Sequence, residues 1–387
     1  MPATTARIAV VGSGIIGSWT ALHLAEASAQ VTLFEQFPLP HTRGSSHGLS
    51  RAFRFLGELE MDRLDYSQIR WQELEQLTGE QMFVKTGLMN FGPADDPTLA
   101  LYMSVLKRTG RSHKWLDSSE IASRYPMTSY PQDWGAAWDP DGGMLIAHRC
   151  LNSVQKRFQE LRGHIETGRV TSLDSVEAGI RVEVHASASD PVDAAVYDQV
   201  VICAGPWTGK LVPQLAPLLQ SVATPVTYWH DPSGVYSASS GFPIIFNSRL
   251  TGIYGLPSYE YPNLVKILYH GGPETDPDLR DRASLTSHIE KVQHYVTEHL
   301  PLLENAGPAI LETCMYTMTP DSMPIIDRLD DKVVVGCGFS GSGFKHAPAT
   351  GWMLAMMALQ REQEIPVGFR ADRYELHRFQ ATSVPNG

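Results

Sequence analysis

The sequence predicts an α/β protein organised around a parallel β-sheet near its N-terminus, and three observations support this fold. An uninterrupted apolar run at residues 8–11 ends at a glycine, which is typical of a parallel strand buried on both faces. Gly12, Gly14 and Gly17 then follow with the spacing G-x-G-x-x-G, and a helix is predicted over about 15–27. This succession is typical of the first half of a nucleotide-binding unit.

The three glycines have different physical roles. Gly12 permits a tight turn, Gly14 lets the backbone approach a pyrophosphate, and Gly17 lets the helix pack closely on the strand. The helix presents its first N–H groups, around Ile15 and Ile16, at the positive end of its dipole. The pattern therefore predicts an anion site that needs no lysine.

The third observation is a second apolar strand at residues 31–34 that ends in Glu35. Glu35 lies 18 residues beyond Gly17, where a carboxylate can accept hydrogen bonds from a ribose diol and would repel a 2′-phosphate. A glycine-rich turn without a ligand is the alternative interpretation. The order of strand, glycines, helix, strand and acid favours a dinucleotide site.

The length and composition are those of an ordinary globular protein with more than one core. At 387 residues, the chain fits two domains, or one domain with a large insertion. Hydrophobic residues make up 43% and charged residues 19%, which is usual for soluble proteins. The formal net charge of −11 argues against nucleic acid and anionic membrane surfaces as partners.

Neither a signal peptide nor a membrane span is expected, because no apolar stretch approaches the length of about 20 residues that a span needs. The C-terminal residues 383–387 lack a peroxisomal signal of the S-K-L type. We therefore expect an intracellular, cytoplasmic protein. Four cysteines are far apart and lack C-x-x-C spacing, which argues against a disulfide framework and against a zinc site, so no metal is expected.

Residues 38–54 form a predicted loop that carries His and paired Arg side chains beside the dinucleotide site. Such loops are usually functional, although a solvated basic loop is an equal alternative on composition alone. An amphipathic helix is predicted over about 61–77, because apolar residues recur every three to four positions. A single strand is predicted at 83–93, and mostly helical structure at 95–125.

A helix resumes at 151–161, followed by a meander strand at 180–186 and a buried strand at 200–203 that we expect to complete the first sheet. Residues 208–313 combine aromatics, prolines and short alternating strands, which predicts an antiparallel substrate domain. Another buried strand at 333–339 leads into a glycine loop and a helix.

Three motifs resemble the monomeric sarcosine oxidase and N-methyltryptophan oxidase family: G-S-S-H-G-L-S-R at 44–51, C-M-Y-T-M-T-P-D at 314–321 and G-F-S-G-S-G-F-K at 338–345. Three further segments are most similar to its sarcosine and pipecolate oxidase branch: I-Y-G-L-P at 253–257, E-Y-P at 260–262 and Y-H-G at 269–271. The similarity spans nearly the whole chain. This resemblance, rather than composition, selects FAD over NAD.

The resemblance implies an FAD-binding domain of the glutathione-reductase type, which is Rossmann-like with a parallel sheet. This domain is expected to be discontinuous, over residues 1–85, 145–215 and 320–387. An interposed α+β substrate domain on an antiparallel or mixed sheet is expected over 86–144 and 216–319.

The implied activity is that of an FAD-dependent amine oxidase. It would oxidise the C–N bond of a secondary amino acid such as sarcosine or pipecolate to an imine and reduce O₂ to H₂O₂, with no partner beyond substrate and O₂, and as a monomer. One alternative keeps the fold but uses another electron acceptor. Others are an oxidase of larger amines such as saccharopine or glycated amino acids, and a non-enzymatic FAD-binding scaffold.

The resemblance also implies residue roles. Cys314 falls where the family joins its sulfur covalently to the flavin, although a free cysteine is commonly a small buried hydrophobe. Arg54 and Lys345 fall where the substrate carboxylate is held. Lys266 falls at the lysine credited with activating oxygen, which favours the oxidase, and His270 aligns with an active-site histidine.

The resemblance also implies a catalytic set and a set of residues that contact FAD. The catalytic set is Lys266, His270, Arg51, His47, Tyr254 and Tyr316, and Tyr254 is also expected at the substrate beside Arg54 and Lys345. The implied FAD contacts are Gly12, Gly14, Ile15, Ile16, Gly17, Glu35, Gln36, Arg43, Ser46, Arg51, Val170, Gly205, Trp207, Cys314, Gly341, Gly343, Phe344 and Lys345.

One departure concerns the glycine loop before Lys345. Family members commonly carry G-F-S-G-H-G-F-K, whereas Ser342 stands at the histidine position here and His346 follows where other residues are usual. The change leaves the identity of the substrate open.

Overall fold

The computed structural model describes residues 6–54, 60–186, 192–247 and 251–382, and its strands and helices are numbered along the chain. The strands are β1 (Arg7–Val11), β2 (Gln30–Glu35), β3 (Ser50–Phe53), β4 (Phe83–Lys85), β5 (Leu88–Pro93), β6 (Lys114–Leu116), β7 (Trp134–Asp139), β8 (Gly143–Ile146), β9 (His164–Thr167), β10 (Arg169–Val176), β11 (Gly179–His185), β12 (Asp193–Tyr197), β13 (Gln199–Ile202), β14 (Gln220–His230), β15 (Ile244–Asn247), β16 (Ile253–Leu256), β17 (Leu264–Tyr269), β18 (Ile310–Met318), β19 (Ile325–Arg328) and β20 (Val333–Cys337). The helices are α1 (Ile15–Glu26), α2 (Met61–Thr78), α3 (Pro97–Arg108), α4 (Ser118–Arg124), α5 (Ala147–Glu160), α6 (Thr208–Leu211), α7 (Thr286–His299) and α8 (Gly343–Ala358). Residues 383–387, on which the prediction of cellular location drew, lie outside the described ranges.

The N-terminal motif lies in a six-stranded sheet with the strand order β19-β20-β13-β1-β2-β9. Its strands run parallel, except that β19 is antiparallel to β20. Ile8, Ala9 and Val10 of β1 are fully buried. Burial on both faces explains the uninterrupted apolar run of this strand. Helices α5 and α8 pack against α1, so the first strand and helix lie deep inside this layer.

Two predictions about strands are wrong. The strand at 200–203 does not complete the sheet, because β13 pairs with β1 on one side and with β20 on the other. Its apolar sequence shows burial but not which strand lies beside it. The single strand predicted at 83–93 is two strands in different sheets, because Gly87 between them has φ +72°, which a continuous strand cannot contain.

A second sheet has eight strands in the order β18-β14-β17-β16-β15-β5-β7-β6. Neighbouring strands are antiparallel, except that β15 and β5 are parallel. Helix α7 packs on this sheet with Val292, Val296 and the following Leu300 fully buried. The predicted antiparallel region at 208–313 is therefore only part of a mixed sheet that also recruits β5, β6 and β7.

Two smaller sheets complete the fold. One has the order β3-β8-β4, and the other is the antiparallel meander β10-β11-β12. The strands of the six-stranded sheet all come from the segments predicted for the FAD-binding domain, and those of the eight-stranded sheet from the segments predicted for the substrate domain. The domain boundaries themselves stay a prediction.

Across the described ranges, every helix is too short or too polar to span a lipid bilayer. In the same part of the chain, no group of three or more His, Cys, Asp or Glu side chains could hold a metal ion.

Candidate functional site

A cavity opens at the carboxyl ends of the parallel strands. It has a volume of about 620 Å³. Its walls include Gly12 after β1, Glu35 at the end of β2, Gly168 after β9, Ala204 after β13 and Gly338 after β20. Open α/β sheets bind nucleotides in the crevice at this edge, so the cavity lies where the glycine motif predicts a dinucleotide.

The turn from β1 into α1 allows no side chains at its first and last glycine. A Cβ on Gly12 would lie 2.5 Å from the carbonyl oxygen of Cys203, and one on Gly17 would lie 1.9 Å from the carbonyl oxygen of Gly12. The first helical N–H, that of Ile15, donates to Ser46 Oγ at 2.9 Å. The close packing brings the N-terminus of α1 to the cavity wall, and a helix N-terminus is a favourable position for an anion.

Glu35 is a buried carboxylate in this wall. Its Oε2 accepts hydrogen bonds from the N–H and the hydroxyl of Ser13, both at 3.0 Å, and its Oε1 accepts one from the N–H of Phe37 at 3.1 Å and lies 3.3 Å from His41 Nε2. Burial raises the pKa of Glu35, but His41 and these donors outweigh burial, so its pKa lies below the usual range. The carboxylate is therefore ionised and fixed at neutral pH.

A second cavity of about 280 Å³ shares part of its wall with the first. The shared residues include Arg51, Tyr316, Gly341 and Phe344. The second cavity is lined by every residue predicted to act in catalysis or substrate binding: His47, Arg51, Arg54, Tyr254, Lys266, His270, Tyr316 and Lys345. The fold thus collects these residues from β3, β16, β17, β18, α8 and the loops beside them.

Arg54 is held against an aromatic stack. Its guanidinium carbon lies 3.8 Å from the centroid of the Phe246 ring, and that ring stacks on Tyr254 at 5.3 Å. The hydroxyl groups of Tyr254 and Tyr316 are 3.0 Å apart. Burial lowers the pKa of Arg54 to about 10, which still leaves the guanidinium charged at neutral pH.

Lys345 lies in the first turn of α8 and is 6% exposed. Burial lowers the pKa of Lys345 to about 8, and Glu60 opposes this change. Glu60 also lies 3.7 Å from Arg63 Nη2 and 3.4 Å from His346 Nε2. Lys345 is therefore a cation that titrates close to physiological pH, with one carboxylate beside it.

Lys266 projects from the middle of β17 and is 4% exposed. Its Nζ lies 3.3 Å from both the carbonyl oxygen and the Oγ of Ser50, and 3.4 Å from Glu260 Oε1. Burial lowers the pKa of Lys266, and Glu260 opposes this.

Cys314 lies on β18 beside Arg51. Its Sγ is 4.0 Å from Arg51 Nη2 and 3.8 Å from the carbonyl oxygen of Ser45. The Arg51 guanidinium also lies 5.6 Å from the centroid of the Phe344 ring, and it donates to the carbonyl oxygen of Ser45 at 3.0 Å. Cys314 and Arg51 therefore lie together at the junction of the two cavities.

The two histidines of the second cavity are neutral at physiological pH. Burial, followed by the charge of Arg51, lowers the pKa of His47 to about 3. Burial, followed by the charges of Arg54 and Lys345, lowers the pKa of His270 to about 4. Neither ring adds a positive charge to the cavity.

Comparison with known proteins identifies the chain. The sequence model of the DAO family, FAD dependent oxidoreductase, matches residues 7–357. The chain belongs to this family. It is 36% identical to the peroxisomal sarcosine oxidase of Mus musculus, with 97% of the chain and 96% of that protein covered. It is 30% identical to the monomeric sarcosine oxidase of Bacillus sp. (strain B-0618), with 92% and 93% covered.

The N-methyl-L-tryptophan oxidase of Yersinia pestis (strain Pestoides F) is 28% identical, with 92% of the chain and 96% of that protein covered. The fold is similar to that of glycine oxidase from Geobacillus kaustophilus, with a TM-score of 0.77, 19% identity, and 97% and 99% of the two chains covered. These comparisons confirm the resemblance, the α/β fold and the prediction of an FAD-dependent oxidoreductase.

The first cavity suits the FAD of this family. A helix N-terminus can face the diphosphate, ionised Glu35 can accept from the ribose, and a side chain at Gly12 would obstruct the turn. Most residues predicted to contact FAD line this cavity: Gly12, Gly14, Ile15, Ile16, Glu35, Gln36, Ser46, Arg51, Val170, Gly205, Trp207, Gly341, Gly343 and Phe344. When bound, FAD supplies the acceptor for two electrons.

Four residues predicted to contact FAD do not line the first cavity. Gly17 lies behind the turn, and Cys314 and Lys345 line the second cavity instead. Arg43 lines neither cavity, and its guanidinium pairs with Asp281. Their roles at the cofactor stay predictions.

The residue patterns did not reveal several members of the second cavity. Glu60, Phe246 and Glu312 line it, and none of them belongs to a motif that predicts a site. Phe246 lies in the apolar strand β15, so its sequence context predicts a core residue. Ser342 lines the cavity, whereas His346 is buried and does not line it.

Substitution of Gly17 should disrupt the cofactor site beyond its effect on stability. Gly17→Ala should lower the free energy of unfolding by about 1–3 kcal/mol, because the new methyl group would overlap the carbonyl of Gly12. It should also move the α1 N-terminus and lower the flavin content of the purified protein, measured as the ratio of flavin to protein absorbance.

The matched control is Gly79→Ala, at the end of α2. Gly79 has φ +70°, and no atom lies within 4 Å of the point that a Cβ would occupy, so alanine there costs about 1–2 kcal/mol through backbone strain alone. The control should lose stability but keep its flavin. Equal flavin contents in the two variants would contradict the role of the close packing at Gly17.

Proposed function

We propose that the protein is an FAD-dependent oxidase of secondary amino acids. It oxidises the C–N bond of a substrate such as sarcosine or pipecolate to an imine and passes two electrons and two protons to O₂, giving H₂O₂. The observation that carries this proposal is the convergence of four cations, Arg51, Arg54, Lys266 and Lys345, on one small cavity beside the FAD site. The names of the mouse, Bacillus and Yersinia relatives support the same class of substrate.

Arg54 and Lys345 bind the substrate carboxylate. They lie at opposite ends of the sequence but line the same cavity, and both are charged at neutral pH. The Phe246 ring fixes the plane of the Arg54 guanidinium, which suits the planar, directional binding of a carboxylate. Two fixed cations orient the α-carbon whatever the rest of the substrate looks like.

The charges of the cavity also select the protonation state of the substrate amine. Arg51, Arg54, Lys266 and Lys345 oppose a further positive charge, and they outnumber the two carboxylates in the wall, Glu60 and Glu312. A bound amine is therefore shifted toward its neutral form, whose nitrogen lone pair is available for oxidation.

Lys266 favours O₂ over other electron acceptors. A fixed buried cation stabilises the negative charge that O₂ acquires as it accepts electrons. The cavity volume of about 280 Å³ favours a small amino acid over saccharopine or a glycated amino acid.

Cys314 would hold the flavin covalently through a C–S bond that replaces its S–H bond and one C–H bond of a flavin ring methyl; the two electrons would pass through the flavin to O₂, and the two hydrogens would leave as protons. It lines the second cavity next to Arg51, at the boundary with the FAD cavity. All four cysteines are buried, but of these four only Cys314 lines the second cavity. Cys203 lines the FAD cavity, and burial raises the pKa of its thiol to about 12, which makes it unreactive.

The enzyme works as a monomer in the cytoplasm, with only its amino acid and O₂ as partners. The net charge of −11 supports the absence of nucleic acid. The Bacillus relative is named monomeric and the mouse relative peroxisomal. Sedimentation of the purified protein would show whether it is a monomer. Imaging of versions tagged at either end would distinguish a cytoplasmic from a peroxisomal location.

The carboxylate proposal predicts that charge on the substrate decides binding. Arg54→Met should raise the Kd of the acid substrate roughly 10- to 100-fold, the cost of about one charge-assisted hydrogen-bond pair. The Kd of the methyl ester should change little, because the ester already binds poorly to the wild type. Flavin reduction by the acid and by its ester, measured in a stopped-flow instrument, tests this, and equal rates for both compounds in the wild type would exclude the carboxylate clamp.

The pH dependence of carboxylate binding tests the role of Lys345 separately from that of Arg54. Because the pKa of Lys345 lies at about 8, its charge is present below that pH and is lost above it. The Kd of propionate, a carboxylate without an amine to titrate, should therefore rise as the pH increases above about 8. In Lys345→Met the Kd should be higher and should no longer change over this interval, as followed by the flavin absorbance.

Lys266→Met should slow reoxidation of the reduced flavin by O₂ by about 100-fold, because one fixed charge of this kind stabilises developing negative charge by a few kcal/mol. Flavin reduction by substrate should change much less. The control is Lys291→Met, since Lys291 packs on the Tyr269 ring at 4.8 Å and does not line the cavity. Equal slowing of both half-reactions would make Lys266 a structural residue.

Covalent attachment predicts that flavin fluorescence stays with the polypeptide after denaturing electrophoresis. Cys314→Ala should release the flavin, whereas Cys203→Ala and Cys337→Ala should retain it. Release from the wild-type protein would refute the linkage.

A further inference from the structure

A buried carboxylate outside the wall of the second cavity pairs with Lys266. Glu260, in the connection between β16 and β17, has a side chain that is 6% exposed, and its Oε1 lies 3.4 Å from Lys266 Nζ. Lys266 lines the cavity, whereas Glu260 does not. The ion pair therefore presents its positive end to the cavity and keeps its negative end in the protein interior.

Tyr228 holds this carboxylate in place. It lies on β14 directly opposite Lys266, and its hydroxyl donates to Glu260 Oε2 at 2.7 Å. The ring of Tyr261 packs edge-on against Tyr228 with centroids 5.0 Å apart. One oxygen of Glu260 thus faces the ammonium and the other accepts from the phenol, so the side chain cannot turn toward solvent without losing both partners.

The surroundings of Lys266 would otherwise disfavour its charge. Burial lowers the pKa of Lys266, the carboxylate of Glu260 is the strongest opposing influence, and the cation of Arg51 lowers the pKa further. Two weaker influences, Glu312 and Cys314 on β18, raise it. The titratable or charged groups that face Lys266 are Glu260, Tyr228, Arg51, His47, Glu312 and Cys314.

We propose that Glu260, held by Tyr228, is a positioning residue that keeps the Lys266 ammonium charged and directed at the cavity. The inference rests on the role proposed above for Lys266 in the reaction with O₂. Without the carboxylate, only the oxygens of Ser50 and the weaker influences of Glu312 and Cys314 would oppose burial and the charge of Arg51, and a buried cation with so little compensation loses its proton more readily. The side chain of Lys266 would remain, but without the charge that acts on O₂.

The test is the pH dependence of reoxidation of the reduced flavin in Glu260→Gln. The reoxidation rate depends on charged Lys266, so it should fall as the pH rises through the pKa of Lys266, and the midpoint should shift down by about 1–3 pH units in the variant. At low pH the variant should approach the wild-type rate, and flavin reduction by substrate should change less than about twofold at every pH. A structural defect would lower the rate at all pH values.

Two further variants serve as controls. Glu274→Gln changes an exposed carboxylate that accepts from Gln220 and does not contact Lys266, so its midpoint should equal that of the wild type. Tyr228→Phe keeps Glu260 but removes its hydrogen bond, and its midpoint should lie between those of wild type and Glu260→Gln. Tyr228→Phe also tests the proposal if Glu260→Gln does not fold. An unchanged midpoint in Glu260→Gln, or in Tyr228→Phe if that variant alone folds, would overturn the proposal.

A double-mutant cycle on thermal unfolding gives a readout that does not depend on activity. Glu260→Gln and Lys266→Met should each lower the Tm, and the double variant should lose less than the sum, because it leaves no unpaired buried charge. Additive losses would show that the two residues are not coupled. Coupling together with normal reoxidation in Lys266→Met would contradict the proposed function of Lys266 and leave the ion pair intact, so the two failures can be distinguished.

Discussion

The contact on which the site depends is the close approach of α1 to the turn that precedes it. A Cβ at Gly17 would lie 1.9 Å from the Gly12 carbonyl oxygen, so only glycine lets the helix begin here. The same packing places the N–H of Ile15 against Ser46, which belongs to the loop that also carries His47 and Arg51. This backbone contact therefore bears on both cavities, because it places the helix beside the carboxyl ends of the strands and beside this loop.

The second constraint is the burial of positive charge. Arg54, Lys266 and Lys345 line a small cavity, and burial lowers the pKa of each. The fold compensates with carboxylates that differ in position: Glu60 lines the cavity near Lys345, whereas Glu260 lies behind Lys266. A carboxylate in the wall can influence the substrate directly, and one behind the wall acts only through its partner. The two pairs thus keep cations available in a buried site, and the four cations of the cavity outnumber the two carboxylates in its wall, Glu60 and Glu312.

Sequence patterns were most informative where the chemistry is local. The glycine spacing, the buried strand and Glu35 lie within 35 residues and predicted the dinucleotide site from backbone geometry alone. The roles of Arg54, Lys266, His270 and Lys345 came instead from family resemblance, since a lysine inside the apolar strand β17 shows no pattern of its own. The strand errors have a similar cause. Apolar runs at 83–93 and 200–203 indicate burial, but Gly87 and the pairing of β13 with β20 depend on contacts with distant segments.

The sequence by itself determined the α/β class and the dinucleotide site, and its resemblance to a family supplied FAD and eight of the residues that line the second cavity. Only the tertiary structure decided how those residues are paired. Phe246 beneath Arg54, Glu60 beside Lys345 and Tyr228 on Glu260 each join residues from separate strands or loops. Such pairs depend on strand register and on loop position, which are properties of the whole sheet. A local pattern specifies that a side chain is buried, but its charge and orientation follow from what the fold places against it.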